Sequence, residues 1–138
     1  MTLEQHGFTQ IAQLFIGEND RIDRTFAKNP DFKHLIYAFK VGDTVAYIGQ
    51  TKNLHKRMDS YANGKYWNNT NQSHIEKSEL LEEAVRNGVP VTVWIKHCFK
   101  IVITTPFGSS VIANLDDEER KYIEIFDPPL NSKLKVKK

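Results

Sequence analysis

Two tyrosines, Tyr37 and Tyr47, an arginine, Arg57, a lysine, Lys77, and a glutamate, Glu119, carry the chemistry this sequence offers. Each of the three charged residues falls on the apolar line of a helix-forming stretch. Arg57 lies on the stripe of Leu54, Met58 and Tyr61. Lys77 continues the line of Leu80, Leu81 and Ala84 toward the N-terminus, and Glu119 begins the line of Tyr122, Ile123 and Phe126. Burying an unpaired charge is costly, so such groups are normally paired, metal-bound or set at the edge of a cleft. A buried ion-pair network, or snorkelling of the two long cations to water, would account for any one of them. Three on one small chain, beside two phenols, favour a functional reading. A carboxylate among cations suits a divalent metal and a phosphate held together.

The elements that must position these groups are legible in outline. Residues 35–61 hold two β-prone runs about a Gly42-Asp43 pair, the sequence form of a two-residue hairpin turn. Gly49 ends the second run, with no side chain to keep backbone or substrate away. Thr51 and Asn53 offer N-caps for a helix opening at Leu54. Ser73 and Glu76 form a capping box for a second helix, and Asp116 and Asp117 can cap a third. Pro128-Pro129 ends that third helix, and the turn would bring Asn131 back toward the hairpin. Residues 91–95 alternate as a strand bounded by Gly88 and Pro90. The expected architecture is α+β, a central three-stranded antiparallel sheet flanked by helices. Residues 101–112, with Pro106-Phe107-Gly108 between two apolar runs, read as a hairpin-like insertion. Residues 1–34 say least: Phe8, Ile11, Leu14, Phe15 and Ile16 suggest a short helix or strand, residues 17–20 a turn, and Asn29-Pro30 a break. That segment is a cover, a DNA-contacting arm or part of a subunit interface.

A chain of 138 residues supports one domain with a single core. We divide it into an N-terminal extension (1–34), a core (35–131) and a basic tail (132–138). No apolar run approaches the roughly 20 residues of a membrane span, and no signal layout opens the chain, so the cytoplasm is the expected location. One cysteine, Cys98, excludes an internal disulfide and reads as a buried thiol; no zinc-site spacing is present. A net charge of +2 does not announce a nucleic-acid partner, but its distribution is informative. Lys52, Lys56 and Arg57 cluster beside the hairpin, and Lys133, Lys135, Lys137 and Lys138 close the chain. Either group could neutralise phosphates, and the tail could equally be a solubilising end. Residues 63–71, with Lys65, Tyr66 and Trp67, form either a contact loop or a lid.

The motif Ile36-Tyr37, then Tyr47-Ile48-Gly49, then Arg57 ten residues after the second tyrosine, resembles the signature of the GIY-YIG nucleases. The run from Glu119 through Pro128-Pro129 to Asn131 is similar to the end of that family's core, and the likeness spans residues 36–131. Leu35 stands where the name-giving glycine is expected, and Tyr61 where some restriction-enzyme relatives place a histidine. The resemblance, strongest to phage members of the family, implies a metal-dependent endonuclease that cuts double-stranded DNA, in that group the unmodified DNA of the host. A restriction or homing role and a non-catalytic DNA-binding module are the alternatives. It implies Tyr37, Tyr47, Gly49, Arg57, Lys77, Glu119 and Asn131 as catalytic residues, with Tyr37 or Lys77 as base. Glu119 would hold Mg²⁺ or Mn²⁺, and Lys52, Lys56 and Lys65 would contact DNA. One such site cuts one strand, so a homo-oligomer, dimer or tetramer, is expected.

Overall fold

The structure is a computed structural model that describes residues 2–18, 20–25, 32–63, 72–98 and 100–133. A 3₁₀ turn, Glu4–His6, leads into strands β1 (Thr9–Ile16) and β2 (Ile22–Arg24). The hairpin follows as β3 (Leu35–Val41) and β4 (Thr44–Thr51), then helices α1 (Leu54–Asn63) and α2 (Gln72–Arg86). After β5 (Val91–His97) come β6 (Lys100–Thr105), β7 (Gly108–Ala113), α3 (Leu115–Phe126) and α4 (Pro129–Lys133). Among the described residues no helix is long and apolar enough to cross a membrane.

The α+β class holds, but the sheet has five strands in the order β2-β1-β5-β3-β4, not three. The extension supplies the other two: β1 pairs antiparallel with β5, and β2 with β1. A short apolar run reads equally as helix or strand, and the open edge of β5 decides for strand. The expected three-stranded unit survives as β4-β3-β5, and residues 100–113 form a separate two-stranded ribbon of β6 and β7.

β3 lies between two other strands and is buried on both faces from Leu35 to Phe39. Leu35, Tyr37 and Phe39 pack with Leu54, Met58, Tyr61 and Leu81 of α1 and α2. Ile36 and Ala38 pack on the other side with Ile48, Trp94, Phe8, Leu115 and Tyr122. β4 therefore forms the edge at which a layer holding α1 and α2 meets a layer holding α3 and α4. Gly42 adopts φ 59°, as the hairpin turn requires.

The hairpin contains an irregularity that decides the site. From the turn, Val41 opposes Thr44 and Lys40 opposes Val45, but Phe39 opposes Tyr47, leaving Ala46 as an extra residue. Strict pairing would set Tyr47 against Ala38, on the opposite face from Tyr37. The bulge turns Tyr47 onto the Tyr37 face.

Helix starts differ in detail from expectation. Asn53 does cap α1, accepting the Lys56 N–H at 3.1 Å. α2 begins at Gln72, one residue before Ser73. Asn114 precedes α3, and Asp116 and Asp117 stand in its first turn, where the helix dipole favours them without a capping bond. Lys65, Tyr66, Trp67, the Asn29-Pro30 break and the tail lysines beyond Lys133 lie outside the described residues.

Candidate active site

Tyr37 stands at the centre, 1% exposed, its hydroxyl 2.9 Å from that of Tyr61 on α1. Directly across the strand pair is Gly49, where an added Cβ would come within 2.7 Å of the Tyr37 ring. The glycine thus leaves room for a phenol lying flat against β4. Burial pushes the Tyr37 phenol far above its ordinary value; Tyr47 raises it further, Arg57 pulls it down, and Glu119 adds a smaller upward push. Arg57 and Glu119, from opposite layers, both act electrostatically on one phenol.

Tyr47 is half-buried on the same face. The Lys77 ammonium donates to its hydroxyl at 3.1 Å and sits 4.2 Å from the ring centre. A cation in that position stabilises negative charge arriving on the phenol oxygen. The inner line of α2 runs through Ser78 and Leu81, each 1% exposed, rather than through Lys77 and Leu80. Ser78 donates to the Tyr61 backbone carbonyl, tying α2 to α1 beside the residue that reaches Tyr47. Lys77 is thereby half-buried at the side of the packed line, with its head on Tyr47.

The other layer supplies the acid. Glu119 is half-buried on α3, and the Gln50 side chain at the end of β4 donates to it at 3.1 Å and to Asp116 at 2.6 Å. Asn131 on α4 accepts the Ile48 N–H and donates to the Ile48 carbonyl, both at 2.9 Å. Its carboxamide thus does for the open edge of β4 what a neighbouring strand would do. That bond pair holds the strand bearing Tyr47, Gly49 and Gln50.

An open cleft of about 500 Å³ is lined by Gln50, Thr51, Lys52, Asn53, Lys56, Arg57 and Ser60. Lys52 and Lys56 are exposed at its rim, and Arg57 is half-buried. A larger hollow of about 680 Å³ between β1 and the end of α2 is lined mainly by apolar residues. Its one ionised group, Arg86, is engaged with Glu82 and Asp20, so chemistry is better served by the smaller cleft.

The structure therefore draws Tyr37, Tyr47, Gly49, Arg57, Lys77, Glu119 and Asn131 around the end of one edge strand. Gln50 and Ser78, and the site roles of Asp116 and Tyr61, do not follow from the sequence patterns above. Gln50 directly follows Gly49 in the motif, which was the available signal; Asp116 lies one turn before Glu119 on the same helix face. Cys98 is half-buried rather than fully buried, and burial pushes its thiol up to about 11.

Among the described residues no three His, Cys, Asp or Glu side chains gather as a metal cage. Mg²⁺ does not need one, since it binds through one or two carboxylates, waters and substrate phosphates. Glu119, with the Asp116 carboxylate held nearby through the Gln50 amide, fits that description.

No family-level sequence profile matches the chain. Endonuclease II of Enterobacteria phage T4 is 32% identical over 133 residues, covering 96% of both chains. The solved structure of a point mutant of the phage T4 enzyme superposes with a TM-score of 0.75 at 29% identity, over 91% of this chain and 92% of that one. The restriction endonuclease HPY188I, solved with product DNA, shares the fold at a TM-score of 0.57 and 18% identity, over 88% of this chain and 75% of that one. Sequence and architecture together place this chain in the endonuclease II family of GIY-YIG nucleases, and it is a DNA endonuclease.

Proposed function

We propose that the chain hydrolyses phosphodiester bonds of double-stranded DNA beside the cleft at the end of β4, with Tyr47 as the proton acceptor and the Lys77 ammonium as its electrostatic partner. The observation that carries this reading is the Lys77–Tyr47 contact of 3.1 Å, half-open to water, on the face shared with Tyr37. Tyr47 first gives its own proton to solvent, the Lys77 ammonium stabilising the phenolate, and then takes a proton from the attacking water. The water oxygen bonds to phosphorus, the bond to the leaving 3′ oxygen breaks, and that oxygen takes a proton from solvent to become a hydroxyl. Tyr37, protonated and buried, is the frame against which Tyr47 is set rather than the base. Arg57 presents a planar fork to the non-bridging oxygens as charge builds there. Asn131 keeps β4 in place, and Lys52, Lys56 and Lys65 neutralise flanking phosphates, making binding salt-dependent.

Glu119 would hold Mg²⁺ or Mn²⁺, which supplies stabilisation of the leaving oxygen. Two copies or more assemble so that sites face both strands, as a dimer or tetramer. The β6–β7 ribbon supports this: Ile101, Val102, Ile103 and Ile112 are exposed on it, and a two-stranded ribbon alone is marginal in water. Its setting is the cytoplasm of an infected bacterium, where it degrades unmodified host DNA. Supercoiled plasmid incubated with Mg²⁺ should yield nicked and linear forms, and EDTA should stop the reaction. Plasmid left intact with both Mg²⁺ and Mn²⁺ would refute the proposal.

A further inference from the structure

We infer that Gln50 is a positioning residue for the cation site: its amide, anchored on Asp116, holds the Glu119 carboxylate in the geometry that receives the metal. This rests on the assignment of Glu119 as the metal-holding group. A glutamine amide nitrogen has two N–H donors. Here one is spent on Asp116 at 2.6 Å and the other on Glu119 at 3.1 Å. With both used, the amide orientation is set, and Gln50 ties the start of α3 to the end of the edge strand.

The three side chains reach the contact from different constraints. Gln50 follows Gly49, whose place is fixed against the Tyr37 ring, and precedes the buried Thr51. Asp116 stands exposed in the first turn of α3, and Glu119 lies three residues later, half-buried. A glutamate at a helix surface has several rotamers, and ordering it costs free energy that the cation would otherwise have to supply. The Gln50 bond does that ordering in advance, as outer-shell partners of metal ligands do. Being a neutral donor, the amide can release the carboxylate oxygen when a cation arrives and remain bonded to Asp116. Glutamate at position 50 would instead repel both neighbours.

The test is Mn²⁺ binding to the DNA-free, full-length protein, followed by electron paramagnetic resonance, for wild type, Gln50→Leu and Asp116→Ala. Asp116 is exposed, so its loss leaves the fold intact if Gln50→Leu does not. The dissociation constant should rise about tenfold in Gln50→Leu and less in Asp116→Ala. Plasmid cutting by Gln50→Leu should approach the wild-type rate once Mn²⁺ is saturating, since the loss is in the metal required. Unchanged or tighter Mn²⁺ binding in both variants would overturn the positioning role while leaving Glu119 as the metal-holding group. A wild-type protein that neither binds Mn²⁺ nor requires a divalent ion would overturn that assignment and this inference with it.

Discussion

Two lysine–tyrosine pairs lie on opposite faces of the same sheet. Lys77 donates to Tyr47 and covers its ring at 4.2 Å; Lys96 donates to Tyr122 and covers its ring at 4.8 Å. The groups are alike, and the surroundings are not. Tyr122 is 1% exposed, packed edge-on by Phe8 and His6, and Lys96 passes beside Gly7 at the 3₁₀ turn. Tyr47 is half-open, shares a face with Tyr37, and stands one strand-end away from Arg57 and Glu119. In the Lys96–Tyr122 pair the phenol is buried in the layer and only the lysine is half-open, whereas in the Lys77–Tyr47 pair both phenol and lysine are half-open. In the proposed mechanism it is the edge of the sheet, where two layers meet, that sets the two pairs apart, and not the pair itself.

The comparison is broken most forcefully at Lys77. Lys77→Met should lower the single-turnover rate of plasmid nicking by a factor on the order of 10²–10⁴, with little change in Tm. Lys96→Met should cut at the wild-type rate and lose about 1.5–3 kcal/mol of stability, the value of a hydrogen bond to a charged group. Loss of cutting in the second variant with its fold intact would erase the distinction.

Titration sharpens the comparison. Tyr37 and Tyr61, behind the Lys77–Tyr47 pair, both have phenols raised by burial above the ordinary value near 10. The folded chain keeps protons that the unfolded chain releases above about pH 10. Their contribution to stability is therefore complete below that pH and lost as pH rises toward the folded values. Each phenol adds a slope of about 1.4 kcal/mol per pH unit, to be read by denaturant titration from pH 9 to 11.5. Tyr61→Phe should make the slope shallower, and an unchanged slope would count against this burial.

Gly49→Ala should cost about 1–3 kcal/mol, because the new methyl meets the Tyr37 ring. Cutting should fall as well, since the ring it displaces frames Tyr47. Asn131→Ala leaves the Ile48 N–H and carbonyl without their partner and should cost about 1–3 kcal/mol. Wild-type stability in either variant would detach β4 from the account.

Much of this was legible in the sequence, for identifiable reasons. The charges on helix lines, the hairpin turn and the paired prolines each follow from a local rule; these rules bring out Arg57, Glu119 and the return of Asn131, while Lys77 lies one position off the packed line of α2. The Ala46 bulge does not follow from a local rule, since every residue around it is β-prone and the turn sets only the first two pairs. Yet that one extra residue brings Tyr47 to the face of Tyr37. The first strand was ambiguous because its partner, β5, lies some eighty residues away. Gln50 and Asp116 belong to no periodicity, and their meeting exists only once β4 and α3 are packed. The two layers meet where no single element predicts it.

The most direct measurement compares Tyr47→Phe with Tyr122→Phe in single-turnover nicking of supercoiled plasmid at saturating Mg²⁺. Tyr47→Phe, which keeps the ring and loses only the hydroxyl, should cut at least about a hundredfold more slowly with Tm near that of wild type. Tyr122→Phe should cut at close to the wild-type rate with a lowered Tm. Nicking by Tyr47→Phe at the wild-type rate would contradict the account.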